Sequence, residues 1–246
     1  MKIATAKGGA ILMFALAAML PPASAQIAPF SSAAPGEPPS PWKRVTLAKI
    51  PRHTTYAVAD AAGRRAFRAE ASASYANLVH PLVADPRTTP WLSWDWKVDQ
   101  MPARSDLSRK DGDDLAAKVC VFFDLPLERL SAADRWKIRV ARRLFDPELP
   151  AASLCYAWDR LLPAGTVLPN VYTDRVRFIV LRSAAAGELG AWRSEKRNLE
   201  ADFALAFGAE ARGGTPRITG VGVASDADNT GDAARAWFGD LRLETP

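Results

Sequence analysis

Apolar and polar residues alternate at period two along several short stretches, the pattern of half-buried strands. In Trp91–Val98, Leu92, Trp94, Trp96 and Val98 share one face, while Ser93, Asp95 and Lys97 share the other. A face ending in Leu and Val reads as a core stripe. Thr54–Asp60 and Phe67–Ala73 predict a hairpin around Ala61-Ala-Gly-Arg64, and Tyr75–Val83 predicts another strand. Ala116–Phe123 is apolar on both faces, which predicts a central strand. Leu154–Trp158 and Arg175–Leu181 add two more, the second with Val176, Phe178 and Val180 on one face.

The last pair of predicted strands is the most distinctive. Val221 and Val223 lie on one face, with Gly220, Gly222 and Ala224 on the other. Small residues on one strand face let another layer or a ligand approach the backbone. The polar turn Ser225-Asp-Ala-Asp-Asn-Thr-Gly231 follows, then a strand over Ala236–Leu243 in which Trp237, Gly239, Leu241 and Leu243 alternate with Phe238, Asp240 and Arg242.

Two stretches change to helical period. Over residues 131–145, Ser131 is an N-cap, Asp134 completes a box-like pattern, and Ala133, Trp136, Val140 and Leu144 form an apolar stripe. Over 199–207, Leu199, Phe203, Ala206 and Phe207 form a buried face, and Gly208 stops the helix. Trp192–Asn198 leads into it. The pattern as a whole is mostly β with two short helices.

The N-terminus reads as an export signal. Lys2 and Lys7 precede the apolar run Ala10–Leu20, which is too short to span a bilayer, and Ala23-Ser-Ala25 is a small-residue cleavage site. Cleavage after Ala25 would place the protein in the periplasm or outside the cell. Gln26 rather than a cysteine stands directly after the cleavage site, so no lipid anchor is expected, and no later segment is apolar enough to be transmembrane. Residues 26–41 are rich in Pro, Ser and Ala and read as a flexible lead-in, leaving 42–246 as the folded domain. Removing Lys2 and Lys7 takes the formal charge from +5 to +3. For an exported chain this excess does not argue for nucleic acid. The basic run Arg135–Arg143 reads as a solvated helix face, with an anionic lipid surface or acidic polysaccharide as the alternative partner. The only cysteines, Cys120 and Cys155, lie in strand-like segments and form either a disulfide or two buried thiols.

Several chemistries are poorly supported. His53 and His80 are the only histidines, with no nucleophile elbow and no Gly-rich phosphate loop. Carboxylates are the remaining material. Asp226, Asp228, Thr230 and Gly231 match the first half of an EF-hand loop, but Trp237 stands where the bidentate Glu belongs. A looser calcium site on Asp226, Asp228 and Thr230 is the metal expectation; a turn held by its own Asx bonds is the other reading. Asp113 and Asp114 sit where a polar loop enters the central strand. Trp91, off the core stripe, is the candidate exposed aromatic platform.

The order of these motifs resembles a bacterial exported family designated domain of unknown function 3047. The resemblance rests on Trp94-Asp-Trp96, Lys110-Asp-Gly-Asp-Asp114, Tyr156-Ala-Trp158, Trp192-Arg-Ser-Glu-Lys-Arg-Asn198 with Asp202 and Phe207-Gly208, and Ser225–Gly231 with Gly239-Asp240. It covers nearly the whole mature chain. It implies a single-domain β-sandwich of jelly-roll type, similar to carbohydrate-binding modules, and no reaction. The motif loops are expected to converge, so that Asp113, Asp114, Glu195, Arg197, Asn198, Asp228 and Asn229 line one polar cleft. The competing reading is a buried network that pins the loops. The functional expectation is a non-catalytic module binding a saccharide or other envelope glycan. A glycan-active enzyme with paired carboxylates and a protein-interaction module are the alternatives.

Overall fold

The computed structural model describes residues 26–144 and 149–246. The expected export signal and Phe145, the last residue of the first predicted helix, lie outside the described residues. The chain forms two β-sheets packed face to face. The first hairpin is β2 (Thr55–Ala61) and β3 (Arg64–Ser72), turning through Ala62 and Gly63 with φ of 57° and 83°. Two successive positive φ values suit the right-handed twist of the paired strands. From β3 the chain crosses to β4 (Tyr75–Ala84), back to β5 (Trp91–Gln100), and over again to β6 (Ala117–Phe123). Such alternation between sheets is the jelly-roll manner of covering strand edges.

The seven-stranded sheet adds β1 (Lys43–Val45), β7 (Ala152–Asp159), β8 (Val167–Asn170), β9 (Thr173–Ser183) and β11 (Ile218–Asp226), in the order β1-β4-β11-β6-β7-β9-β8. β6 is its middle strand, as its two-sided apolarity predicts. β9 runs parallel to β7 because the chain first passes through the edge strand β8. The six-stranded sheet has the order β10-β5-β12-β3-β2, with β10 (Arg193–Asn198) and β12 (Ala233–Phe238), and β13 (Arg242–Glu244) continuing along β5.

One core lies between the sheets. The stripe Leu92, Trp94, Trp96 and Val98 is buried in it, together with Val221 and Val223. Trp94 meets Tyr156 at 5.1 Å, and Trp96 meets Trp158 at 5.5 Å, across the two sheets. The motifs Trp94-Asp-Trp96 and Tyr156-Ala-Trp158 are therefore two halves of one aromatic contact. α2 (Leu199–Phe207) adds Phe203 and Phe207, with Phe203 4.8 Å from Phe123. Fully burying side chains of this size stabilises by about 1.5–3 kcal/mol each.

The structure departs from the sequence reading in four places. Trp192–Asn198, expected only as a lead to the helix, contributes β10, whose charged residues pair with β5. The last predicted strand is broken at Gly239–Leu241, so Phe238 enters the core while Trp237 lies on the outer face against Ala61 and Ala66. The lead-in does not hang free. Phe30 stacks on Phe67 at 4.6 Å and is fully buried, and Ser31 donates to Asp240 from both its backbone and hydroxyl. Composition hid two apolar anchors, Ile27 and Phe30, among Pro, Ser and Ala. Finally, α1 (Ala132–Leu144) is capped by Ser131 as expected, but Trp136 in its apolar stripe is 66% exposed, and Ile138 is the buried side chain.

Candidate binding groove

The outward face of the seven-stranded sheet carries a groove of about 1050 Å³. Its floor follows from the alternation in β6 and β11. Val119, Val121 and Phe123 point into the core, so Lys118, Cys120 and Phe122 point out. Across from them β11 offers Gly220 and Gly222. A Cβ on Gly222 would lie 3.1 Å from the Phe122 ring, so the missing side chain is what lets Phe122 lie flat along the sheet. The close approach expected at these glycines is thus filled by a side chain of the protein itself. Beside Phe122, Cys120 and Cys155 face each other in register on β6 and β7 and are joined by a disulfide.

One end of the groove is polar. Lys118 projects from the middle strand and forms an ion pair with Asp226 at 2.7 Å. Both side chains are buried, at 11% and 5% exposure, and Asp226 also accepts from the Leu115 amide. Burial pushes the Asp226 carboxyl up to about 6, against the pull of Lys118. Burial opposes the charge on Lys118, but Asp226 above all, with Tyr75 and Asp113, holds it protonated. Tyr75 stands alongside, 5.5 Å from the ammonium at its ring centre, and accepts from Asn77. Asp113 accepts from Asn170 at 2.7 Å, and burial raises its carboxyl. Asp228 is raised by burial first and then by the charge of Asp114, and its Oδ1 has no hydrogen-bond partner among the described residues.

The turn after β11 joins the two sheets, which is why it is so heavily bonded. Asp114 is fully buried and accepts from the amides of Asn229 and Thr230. Asn229 returns a bond to the Asp113 carbonyl and accepts from the Tyr172 hydroxyl. Thr230 Oγ1 accepts from the Asp232 amide.

This geometry decides the calcium expectation. Asp114, Asp226 and Asp228 do gather, with one oxygen of each within 4.8 Å of the others. However, Asp226 is spent on Lys118 and Leu115, Asp114 on the turn amides, and Thr230 on Asp232. Calcium takes 6–8 oxygen ligands, and only Asp228 has an oxygen to spare. The residues do not fit that ion; the Lys118 ammonium is the cation of this cluster.

The expected convergence is half met. Asp113, Asp114, Asp228 and Asn229 come together at the groove. Glu195, Arg197 and Asn198 lie on β10 in the opposite sheet. Glu195 accepts from Trp96 Nε1 at 3.1 Å and from Arg182 at 2.7 Å. Arg197 clamps both oxygens of buried Asp202, which also accepts from the Tyr156 hydroxyl. Asn198 caps α2 through the Ala201 amide. Trp91 is on that sheet too, half-buried beneath Lys196, and not in the groove. The residues missed were Lys118, Tyr75, Asn77, Asn170 and Tyr172. Lys118 had a signal, since it is the one charged residue in an otherwise apolar central strand. Tyr172 and Asn170 had none, because β8 is short and at the edge.

A family model for a protein of unknown function (DUF3047) matches residues 40–242. The chain belongs to that family. No curated protein matches it.

Proposed function

We propose that this is an exported, non-catalytic module that holds a saccharide or another envelope glycan in the groove of the seven-stranded sheet. The observation that carries this reading is the groove itself. It joins a floor of Phe122, Phe178 and the disulfide to an end rich in hydrogen-bonding groups, Asn77, Asp228, Asn229 and Tyr172. Pockets of this size, largely apolar with a few convergent polar groups, suit small ligands, and aromatic rings beside amide and carboxylate oxygens suit the two faces of a sugar. Binding fits better than hydrolysis. A glycosidase sets two carboxyls on either side of the bond it cuts. Here Asp226 and Asp228 lie on one wall with the buried Asp114 close behind them, and Asp114 and Asp226 are engaged internally.

Thermal melting of the chain from Gln26 onward against a panel of envelope glycans tests the reading. One glycan class is expected to raise the melting temperature, since a ligand at about 100 times its dissociation constant stabilises by about 2.7 kcal/mol. Tyr172→Ala and Asn77→Ala should abolish the shift while leaving the unliganded protein folded. Absence of a shift with every class overturns the glycan reading, and so does a shift that both variants retain.

A further inference from the structure

The helix α1 does what its predicted stripe was not expected to do. Ile138 is its one fully buried side chain among those described. At 100° per residue, Trp136, Val140 and Ala133 fall on the side opposite Ile138, and Trp136 is 66% exposed. Lys137 flanks this face on one side, and Arg139 and Arg143 flank it on the other. The helix carries Arg135, Lys137, Arg139, Arg142 and Arg143 against a single acid, Asp134. Asp134 is engaged by Lys137 and the Ser131 cap. Arg135, Arg139 and Arg143 make no ion pair among the described residues.

A single exposed aromatic residue is ordinary. An indole held out from a short helix between guanidinium groups that make no ion pair among the described residues is a specific combination. Interfacial helices have an apolar stripe that enters the headgroup region and cations that meet lipid phosphates. We propose that α1 docks on an anionic lipid bilayer, with Trp136 inserted at the headgroup level and Arg139, Arg143 and Lys137 on the phosphates. Charge alone would suit a soluble polyanion equally; the exposed indole is what favours a bilayer, because only a bilayer offers it an apolar layer. The same helix lines the groove through Arg142, but the docking face of Trp136, Lys137, Arg139 and Arg143 is not part of that lining, and the docking does not depend on the glycan reading.

Flotation of the chain from Gln26 onward, which contains the whole sandwich, with phosphatidylglycerol and with phosphatidylcholine vesicles tests the docking. Binding is expected to the anionic vesicles only, and to weaken with salt. Trp136→Ala should weaken it about tenfold, and Trp136→Phe should retain it. Arg139→Glu with Arg143→Glu should weaken it by at least about twentyfold, at roughly fivefold per cation removed. All three variants change exposed positions and should keep the wild-type melting temperature. Equal binding to both vesicle types, no binding to either, or full binding by Trp136→Ala overturns the proposal. Tight binding of heparin that Trp136→Ala leaves intact, without vesicle binding, assigns the face to an acidic polysaccharide instead.

Discussion

The two polar clusters of this protein are built from similar residues and balanced differently. On the six-stranded side each carboxylate meets a guanidinium: Glu195 meets Arg182, which Glu188 shares, and Asp202 meets Arg197. At the groove Asp113, Asp114, Asp226 and Asp228 are gathered around the one ammonium of Lys118. The first arrangement is closed, with its charges neutralised inside the fold, and it joins β10 to the core aromatics Trp96 and Tyr156. The second gathers carboxyls that burial opposes beside a single buried ammonium, and leaves Asp228 Oδ1 without a partner among the described residues. Buried charge that is paired can be explained by folding alone. Carboxyls that burial opposes, on a groove wall with one oxygen left without a partner among the described residues, work against folding and call for another explanation.

The largest test of that contrast is Lys118→Met. It should cost about 3–5 kcal/mol at pH 7, because it leaves the buried Asp226 carboxyl without its charged partner. The pH dependence follows from the Asp226 carboxyl, which burial lifts to about 6 in the folded protein, above an unfolded value near 3.9. A raised carboxyl adds stability that is fully present below the unfolded value and is lost as pH rises through the folded one. The variant's penalty should therefore shrink between pH 7 and pH 4, where Asp226 takes up a proton. Urea denaturation at both pH values measures it, and equal penalties would mean that Asp226 is not the group left stranded.

Arg197→Met comes next, at about 2–3 kcal/mol. It strands Asp202 in the same way, but the Arg197 side chain is 32% exposed, so water replaces part of what is lost. The distinguishing expectation is that groove ligands still bind the folded variant with unchanged affinity. Loss of binding without loss of stability would place the β10 cluster in the site after all.

How far these clusters could be told apart beforehand depends on what alternation reports. Side-chain period fixed which residues of β5, β6 and β11 face the core, and Trp94, Trp96, Val121 and Val223 sit where the pattern puts them. Period carries no information about which sheet a strand joins. Glu195 and Asp228 belong to motifs of equal prominence, and only the pairing of β10 with β5 and of β11 with β6 sends them to opposite sides. The Asp-rich turn likewise looks like a local cation loop in sequence. Its bonds are to Asp113 and Asp114, more than a hundred residues away in the chain, and no local spacing rule contains them. Lys118 was the legible clue, since a lysine inside a buried strand needs a carboxylate, and Asp226 on the neighbouring strand supplies it.

Asp228→Asn is the mildest change and divides the two clusters most cleanly. In the closed cluster any loss of a partner destabilises. Here the carboxylate removed is one that burial and Asp114 already oppose. The substitution should be neutral or stabilise by up to about 1 kcal/mol at pH 7, as replacements at sites strained for function often do. Because the Asp228 carboxyl is raised, its own contribution is present in acid and lost as pH rises through its folded value. The variant's advantage should accordingly appear near neutrality and vanish toward pH 4. Paired denaturation curves across that range measure it, alongside the glycan-dependent melting shift, which should weaken. A loss above about 1 kcal/mol would make Asp228 a structural partner like Asp202 and erase the distinction between the two clusters. A gain in stability with weakened binding would mark the groove wall as a place where the fold gives up stability to keep a carboxylate facing its ligand.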